Sequence, residues 1–209
     1  MAITNGYATL AQLKARLNVP TATTTHDTAF EAYIETASRQ IDNDLDRQFY
    51  ASSSETRYYT ADDALTLFLP HDVLTVSEVA LLSSAAGGVR IYGWTLTTDE
   101  YDLEPYDGPP YTRLSVGGTS RYTFPLQRRG VRITGTFGYC ALANVPKPIS
   151  EACLVYAGRL AERAKSPLGV IGGGDLTEAV RITKTDPDYQ ALIGGYKRAE
   201  LFPTRSWGG

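Results

Sequence analysis

Histidine and cysteine are nearly missing from this chain, and their scarcity removes most site chemistry at once. Of 209 residues, two are histidine, His26 and His71, and two are cysteine, Cys140 and Cys153. A nucleophilic triad needs a serine or cysteine, a histidine base and a carboxylate. Neither histidine stands in such a motif: His26 sits beside an expected helix start and His71 in an expected turn after a strand. The cysteines belong to no CxxC or Cys/His cluster, which excludes a zinc motif and a disulfide framework and predicts a reducing compartment. Long hydrophobic runs are also lacking. MAITNGYATLAQL has neither a basic n-region nor a continuous apolar stretch, so no signal peptide is expected there, and no run approaches membrane-spanning length. Net charge is only −3, which excludes a polyelectrolyte that binds nucleic acid over its whole surface. We find no internal repeat and no long low-complexity linker.

What is present is enough to fold. Hydrophobic residues make up 43% and aromatics 11%, which argues against global disorder, and the length suits one elaborated domain or two small ones. Tyrosine outnumbers phenylalanine, 14 to 6. Such a surplus suits half-buried sheets, and it also suits contact surfaces, where a large ring keeps a polar tip.

The hydrophobic period changes twice along the chain. Residues 1–50 read as helical. Thr9 with Gln12 makes a capping-box pattern, Leu10, Leu13 and Leu17 share a face, and Pro20 is a stop. Asp27 is placed to cap a second helix, whose apolar stripe is Phe30, Ile34, Ala37, Ile41 and Leu45. Residues 55–140 switch to period two. Leu65, Leu67 and Leu69 alternate with polar or opposite-face residues until Pro70 breaks the run. VLTVSEVALL, VRIYGWTL, YTRLSV and GVRITGTFGY follow as strand-like runs between Gly, Pro and Asp turns. Helical spacing then returns in Ile149, Cys153, Tyr156, Leu160 and Ala164, with cations crowding the last turns. The glycine-rich segment 168–174 comes next, then EAVRIT as a short strand or turn. A final short helix is expected with Pro187 near its start and Gly194-Gly195 weakening its middle.

The predicted fold class is therefore α+β: N- and C-terminal helices packed as a small helical bundle, with an inserted antiparallel β sandwich or barrel-like domain. The expected boundaries are 1–54 and 141–199 for the helical core, 55–140 for the β insertion and 200–209 for an extended tail.

Candidate chemistry is thin. The acids of Asp42–Asp46 diverge around a helix, and Asp62-Asp63 reads as a turn, so neither makes a metal site. GVIGGGDL lacks the Lys-Ser/Thr of a phosphate loop and follows a helix, so a hinge or an assembly-ordered loop fits it better. DEYDLEPYDG, residues 99–108, holds five acids and two tyrosines. It suits a polar hairpin end; sugar binding, metal binding or acid catalysis through Glu100 and Glu104 are the functional alternatives. LQRRGVR contributes Arg128, Arg129 and Arg132, a compact basic stretch suited to salt bridges with a neighbouring subunit, to a solvated turn or to phosphate.

Order and spacing of several segments resemble the head–tail connector (adaptor) family of tailed-phage neck proteins. YATLAQLKARLNVP and DTAFEAYIETASRQIDNDLDRQF resemble its N-terminal helix pair. LPHDVLTVSEVAL resembles its Leu-Pro…Val…Ser-Val strand pair. GVRITGTFGYCALANVPKPISEACLVYAGRLAERAKSP resembles its strand ending in Gly-Tyr, its Val-Pro lead-in and its long helix closing on a basic Ser-Pro turn. The chain departs from the mostly helical members between Gly87 and Arg128, which is longer than they would need.

The resemblance implies a structural virion protein at the head–tail interface, assembled in host cytoplasm, with no enzymatic activity and no cofactor. It implies a homo-oligomeric ring, typically twelve-fold, beneath the portal protein. The ring would extend the DNA channel and meet a stopper or tail-completion protein. DNA would pass through the lumen without sequence-specific binding, and a mildly acidic chain suits that passage because a basic lumen retards the duplex. A ring needs two unlike contact faces per copy, and the helix from Ile149 to Ala164 is expected in the core and the ring contact. On this reading Leu168, Gly169, Val170, Ile171, Gly172 and Gly173 form a loop ordered by assembly. Lys197, Arg198, Leu201, Phe202, Arg205 and Trp207 are the expected portal contact, with an aromatic at each end of the tail segment as an anchor. Tail-completion or stopper proteins, and β-rich virion modules that bind tail or carbohydrate, are the competing expectations.

Overall fold

The computed structural model describes residues 3–61, 63–117, 120–165 and 187–198. They form two compact units: Met1–Asp46 with Leu142–Arg198, and Arg47–Ala141. The fold is mixed, with four α-helices and antiparallel sheets among the described residues.

In the helical unit, α1 spans Leu10–Arg16 and starts on the predicted capping box: Gln12 N–H donates to Thr9 Oγ1 at 3.3 Å while Thr9 N–H donates to Gln12 Oε1 at 2.8 Å. It ends before Pro20, where Leu17 caps it and Asn18 turns left-handed at φ 53°. The second helix, α2, spans Asp27–Leu45 and buries the predicted stripe from Phe30 to Leu45. Asp27 is not its cap. His26 holds that position without a side-chain cap bond, and Asp27 is the first helical residue. Its carboxylate instead meets the Lys14 ammonium at 2.5 Å. Lys14 is only 3% exposed, so its charge needs that partner.

The third helix, α3, spans Lys147–Lys165. Ile149 and Cys153 are buried as expected, but the buried set continues through Ala152, Leu154, Ala157 and Ala161. Tyr156 and Leu160 are half-buried and Ala164 is exposed. A single stripe fails here because α3 touches three helices: α1, α2 and α4, which spans Pro187–Ile193. The alanines let neighbours approach closely. Pro187 occupies the first turn as predicted, and the Gly-Gly pair marks the helix end, where the chain tightens into a 3₁₀ turn at Gly194–Tyr196.

The β unit holds β1 (Glu55–Tyr59), β2 (Thr66–Leu81), β3 (Ser84–Ala86), β4 (Val89–Ile91), β5 (Trp94–Leu96), β6 (Tyr101–Glu104), β7 (Tyr111–Val116) and β8 (Val131–Phe137). Six strands form one antiparallel sheet in the order β1-β8-β2-β7-β6, with β5 also on β2, and β3-β4 make a separate ribbon. Among the described residues the sheet does not close into the expected barrel. VRIYGWTL is two strands, β4 and β5, because Tyr92-Gly93 breaks it. Pro70 does not end its strand either. Proline lacks a ladder donor, so the register with β7 slips between Phe68 and Val73 while β2 runs on. At the slip β2 gains a second neighbour: Val73 pairs with both Tyr111 of β7 and Phe137 of β8.

This long bent strand organises the β core, which gathers Leu67, Leu69, Val79 and Leu81 of β2 against Leu114, Ile133 and Phe137. The alternation read from GVRITGTFGY holds from Val131 to Phe137, buried at Val131, Ile133, Gly135 and Phe137, and stops there: Tyr139 lies beyond the strand and is half-buried. Gly135 is there for space: a Cβ would collide with the Thr75 carbonyl oxygen of β2. At the start of the unit, Arg47 Nε lies 2.9 Å from Asp72 Oδ2, and the same guanidinium lies over the Tyr139 ring at 5.1 Å. Asp72 is 3% exposed, so this pair is a buried pin between the incoming chain and β2.

Candidate functional site

The residues that sequence reasoning offered for catalysis are occupied structurally. Glu100 accepts from Thr97 N–H at 3.0 Å and Thr97 Oγ1 at 3.1 Å, and this turn, led by the backbone bond, holds its carboxyl below the usual range. Glu104 accepts from Arg113 at 3.1 Å and from Ser115 at 2.6 Å. Both act as turn and strand fasteners. On α2, Asp42 takes the Tyr7 hydroxyl and Arg39 Nε, and Asp44 takes Gln40 and Tyr189. The acids of that run diverge to separate partners, as the helical spacing predicted. Among the described residues no group of three or more His, Cys, Asp or Glu is placed to hold a metal ion. His26 is exposed with its ring 6.0 Å from that of Phe30, and His71 is exposed within the β2 irregularity, not in a turn.

Of the expected portal contacts, Lys197 and Arg198 follow the 3₁₀ turn after α4. Lys197 is exposed, and its N–H donates to the Gly194 carbonyl at 3.4 Å. Leu201, Phe202, Arg205 and Trp207, the loop Leu168–Gly173, EAVRIT and Asp62 lie outside the described residues. No described helix is long and apolar enough to cross a membrane.

The β unit presents a surface that the sequence reading did not assemble. Tyr58 of β1 and Tyr92 pack their rings 5.5 Å apart. The Arg129 guanidinium lies over Tyr58 at 5.8 Å and that of Arg132 over Tyr92 at 5.2 Å. Trp94 stacks on Tyr122 at 5.6 Å. The basic stretch thus interleaves with aromatics contributed by two separate segments, around Tyr58 and around Tyr92. Cation–π contacts of this kind hold long side chains in place at a surface. Tyr58, Val89, Ile91 and Trp94 are all exposed large hydrophobics. The traces of this surface in the sequence are the basic stretch LQRRGVR and the tyrosine surplus; their meeting was not legible, because it brings together residues that are far apart in the chain.

No protein-family model matches the chain, and no curated protein shows significant similarity to it. Solved structures do match, over the whole chain. A chain from the neck of an empty gene transfer agent particle, computed with C6 symmetry, is similar at TM-score 0.60 and 17% identity, covering 100% of this chain and 96% of that one. A chain from the virion of a native gene transfer agent particle is similar at TM-score 0.59 and 18% identity, with the same coverage. A chain from the neck of a native particle, computed with C12 symmetry, is similar at TM-score 0.55 and 18% identity, again covering 100% and 96%. The protein shares its fold, β unit included, with chains of phage-like particles.

Proposed function

We propose that this protein is a structural component of the neck of a phage or phage-like particle, an adaptor that forms a ring under the portal. It extends the DNA channel and joins the capsid to the stopper or tail. The observation that carries this reading is the match over both units at once: the chain is covered completely, and the neck chain of the empty particle almost completely. A fold shared by a helical pair alone would be weak support, since small helical bundles recur widely. The stretch from Gly87 to Arg128, which the helical adaptors would not need, lies within the span of that full-length match. The C6 and C12 symmetries of the two matched necks accord with a ring of copies.

The portal and the stopper or tail-completion protein are the proposed partners, with further copies of the chain as the third. The tail from Lys197 to Trp207 is the proposed portal contact, and DNA traverses the lumen without being read. The site residues support a scaffold role: Glu100, Glu104, Asp42 and Asp44 are tied to neighbours instead of converging on a cleft.

The test is direct. Purified protein is mixed with portal-bearing, DNA-filled, tailless capsids and the vertices are imaged by cryo-EM. Added ring density beneath the portal is the expected result. Bare vertices overturn the reading.

A further inference from the structure

The sheet path ends in two edges, β1 and β6, and among the described residues no strand pairs the outer side of either. Such edges are ready-made contact surfaces. Here they are chemically unlike. Beside β1, the turn before β8 holds Arg128 and Arg129 exposed, next to Tyr58 at 48% exposure. Arg129 is fixed there: its N–H donates to Thr60 Oγ1 at 3.0 Å, its carbonyl accepts the Tyr92 hydroxyl at 2.8 Å, and it holds a left-handed φ of 58°. A non-glycine residue keeps that conformation only when its surroundings impose it. The basic corner is therefore preorganised.

The β6 edge carries the opposite sign. Asp102 is exposed on the strand, and Asp107 is exposed in the turn after it, beside Tyr106 at 76% exposure. Glu100 and Glu104 are engaged by Thr97, Arg113 and Ser115, so Asp102 and Asp107 carry the outward charge of this edge. Two β1 edges repel each other, and so do two β6 edges; only unlike edges attract.

We infer that the β1 edge of one copy docks on the β6 edge of the next, so that Arg128 and Arg129 face Asp102 and Asp107 across a repeated contact between copies. A contact of unlike faces on one chain is heterologous, and it closes into a ring when the rotation per copy permits. The inference rests on the ring reading given above and names its contact surface.

Two variants test it in the full chain: Arg128→Glu with Arg129→Glu, and Asp102→Lys with Asp107→Lys. Each alone places like charges at every contact, and each should lower capsid-bound protein about tenfold or more. Mixed one to one, they can alternate around an even-membered ring. Every contact then joins either the two original edges or the two reversed ones, and binding should return. A folding defect would not be rescued by mixing. Single variants that bind like the wild type, or a mixture that stays unbound, overturn the edge contact and leave the neck reading standing. A wild-type chain that binds no capsid removes the neck reading instead. In that case sedimentation velocity at high concentration decides the edges: association lost in each variant and regained in the mixture keeps them, and monomer throughout removes them.

Discussion

The Tyr189 hydroxyl donates to the Asp44 carboxylate at 2.8 Å, and so ties α4 to the last turn of α2 across 145 residues of sequence. The Tyr189 ring also packs on Tyr156 of α3, 5.7 Å away. Burial first, then the bond to Asp44, raises the phenol above its ordinary value of 10.0, so the donor keeps its proton. Because α4 and its 3₁₀ turn lead directly into Lys197, this bond sets where the proposed docking tail leaves the helical unit. Tyr189→Phe should cost about 1–2 kcal/mol, the range for a hydrogen bond to a charged group, discounted for its partly exposed acceptor. Calorimetry should show the melting temperature falling by several degrees. The sign with pH is fixed by the raised phenol: the contribution is complete below pH 10 and declines as pH rises beyond it.

Lys14 is the other pin of the helical unit. Its ammonium meets Asp27 at 2.5 Å and donates to the Thr23 carbonyl at 2.8 Å and the Thr21 carbonyl at 3.2 Å. Replacing Lys14 with Met keeps the packed stem but strands these acceptors. We expect a loss of about 3 kcal/mol, the low end for breaking a buried pair because Asp27 keeps some solvent. A urea melt reads the loss, and faster proteolysis between residues 18 and 26 locates it. Unchanged cleavage there would show that Lys14 does not hold the loop.

The two cysteines should separate by reactivity. Cys153 is fully buried, with Sγ 3.4 Å from Ser38 Oγ, and burial pushes its thiol up to about 11. Cys140 is half-buried, its thiol donating to the Phe49 carbonyl at 3.2 Å, and burial raises it too. At pH 8 an aromatic disulfide reagent should label Cys140 slowly and Cys153 only after unfolding. The folded state favours the neutral Cys153 thiol, so this contribution to stability is present below pH 9 and lost as pH climbs toward 11. Rapid labelling of both thiols in the native protein would contradict the packing of α2 against α3.

Deleting residues 200–209 should leave the folded protein intact and abolish portal binding. Circular dichroism checks the first outcome and co-sedimentation with portal-bearing capsids the second. Wild-type binding by the shortened chain would move the portal contact elsewhere on the molecule.

Local physics determined a good part of this protein from sequence alone. The capping box at Thr9, the Phe30–Leu45 stripe, the Pro187 helix start and the period-two run of β8 are set by neighbours a few residues apart, and each stands in the structure where the pattern placed it. Only tertiary structure decided the rest. Asp27 serves Lys14 because a buried ammonium outweighs a cap. Pro70 sits inside β2 because a strand that changes partners can absorb a missing donor at a bulge. The wide buried face of α3 follows from its three helical neighbours. The Tyr58–Tyr92–Arg129 corner and the unlike sheet edges arise from pairings between segments tens of residues apart, and no local period encodes which strands will meet.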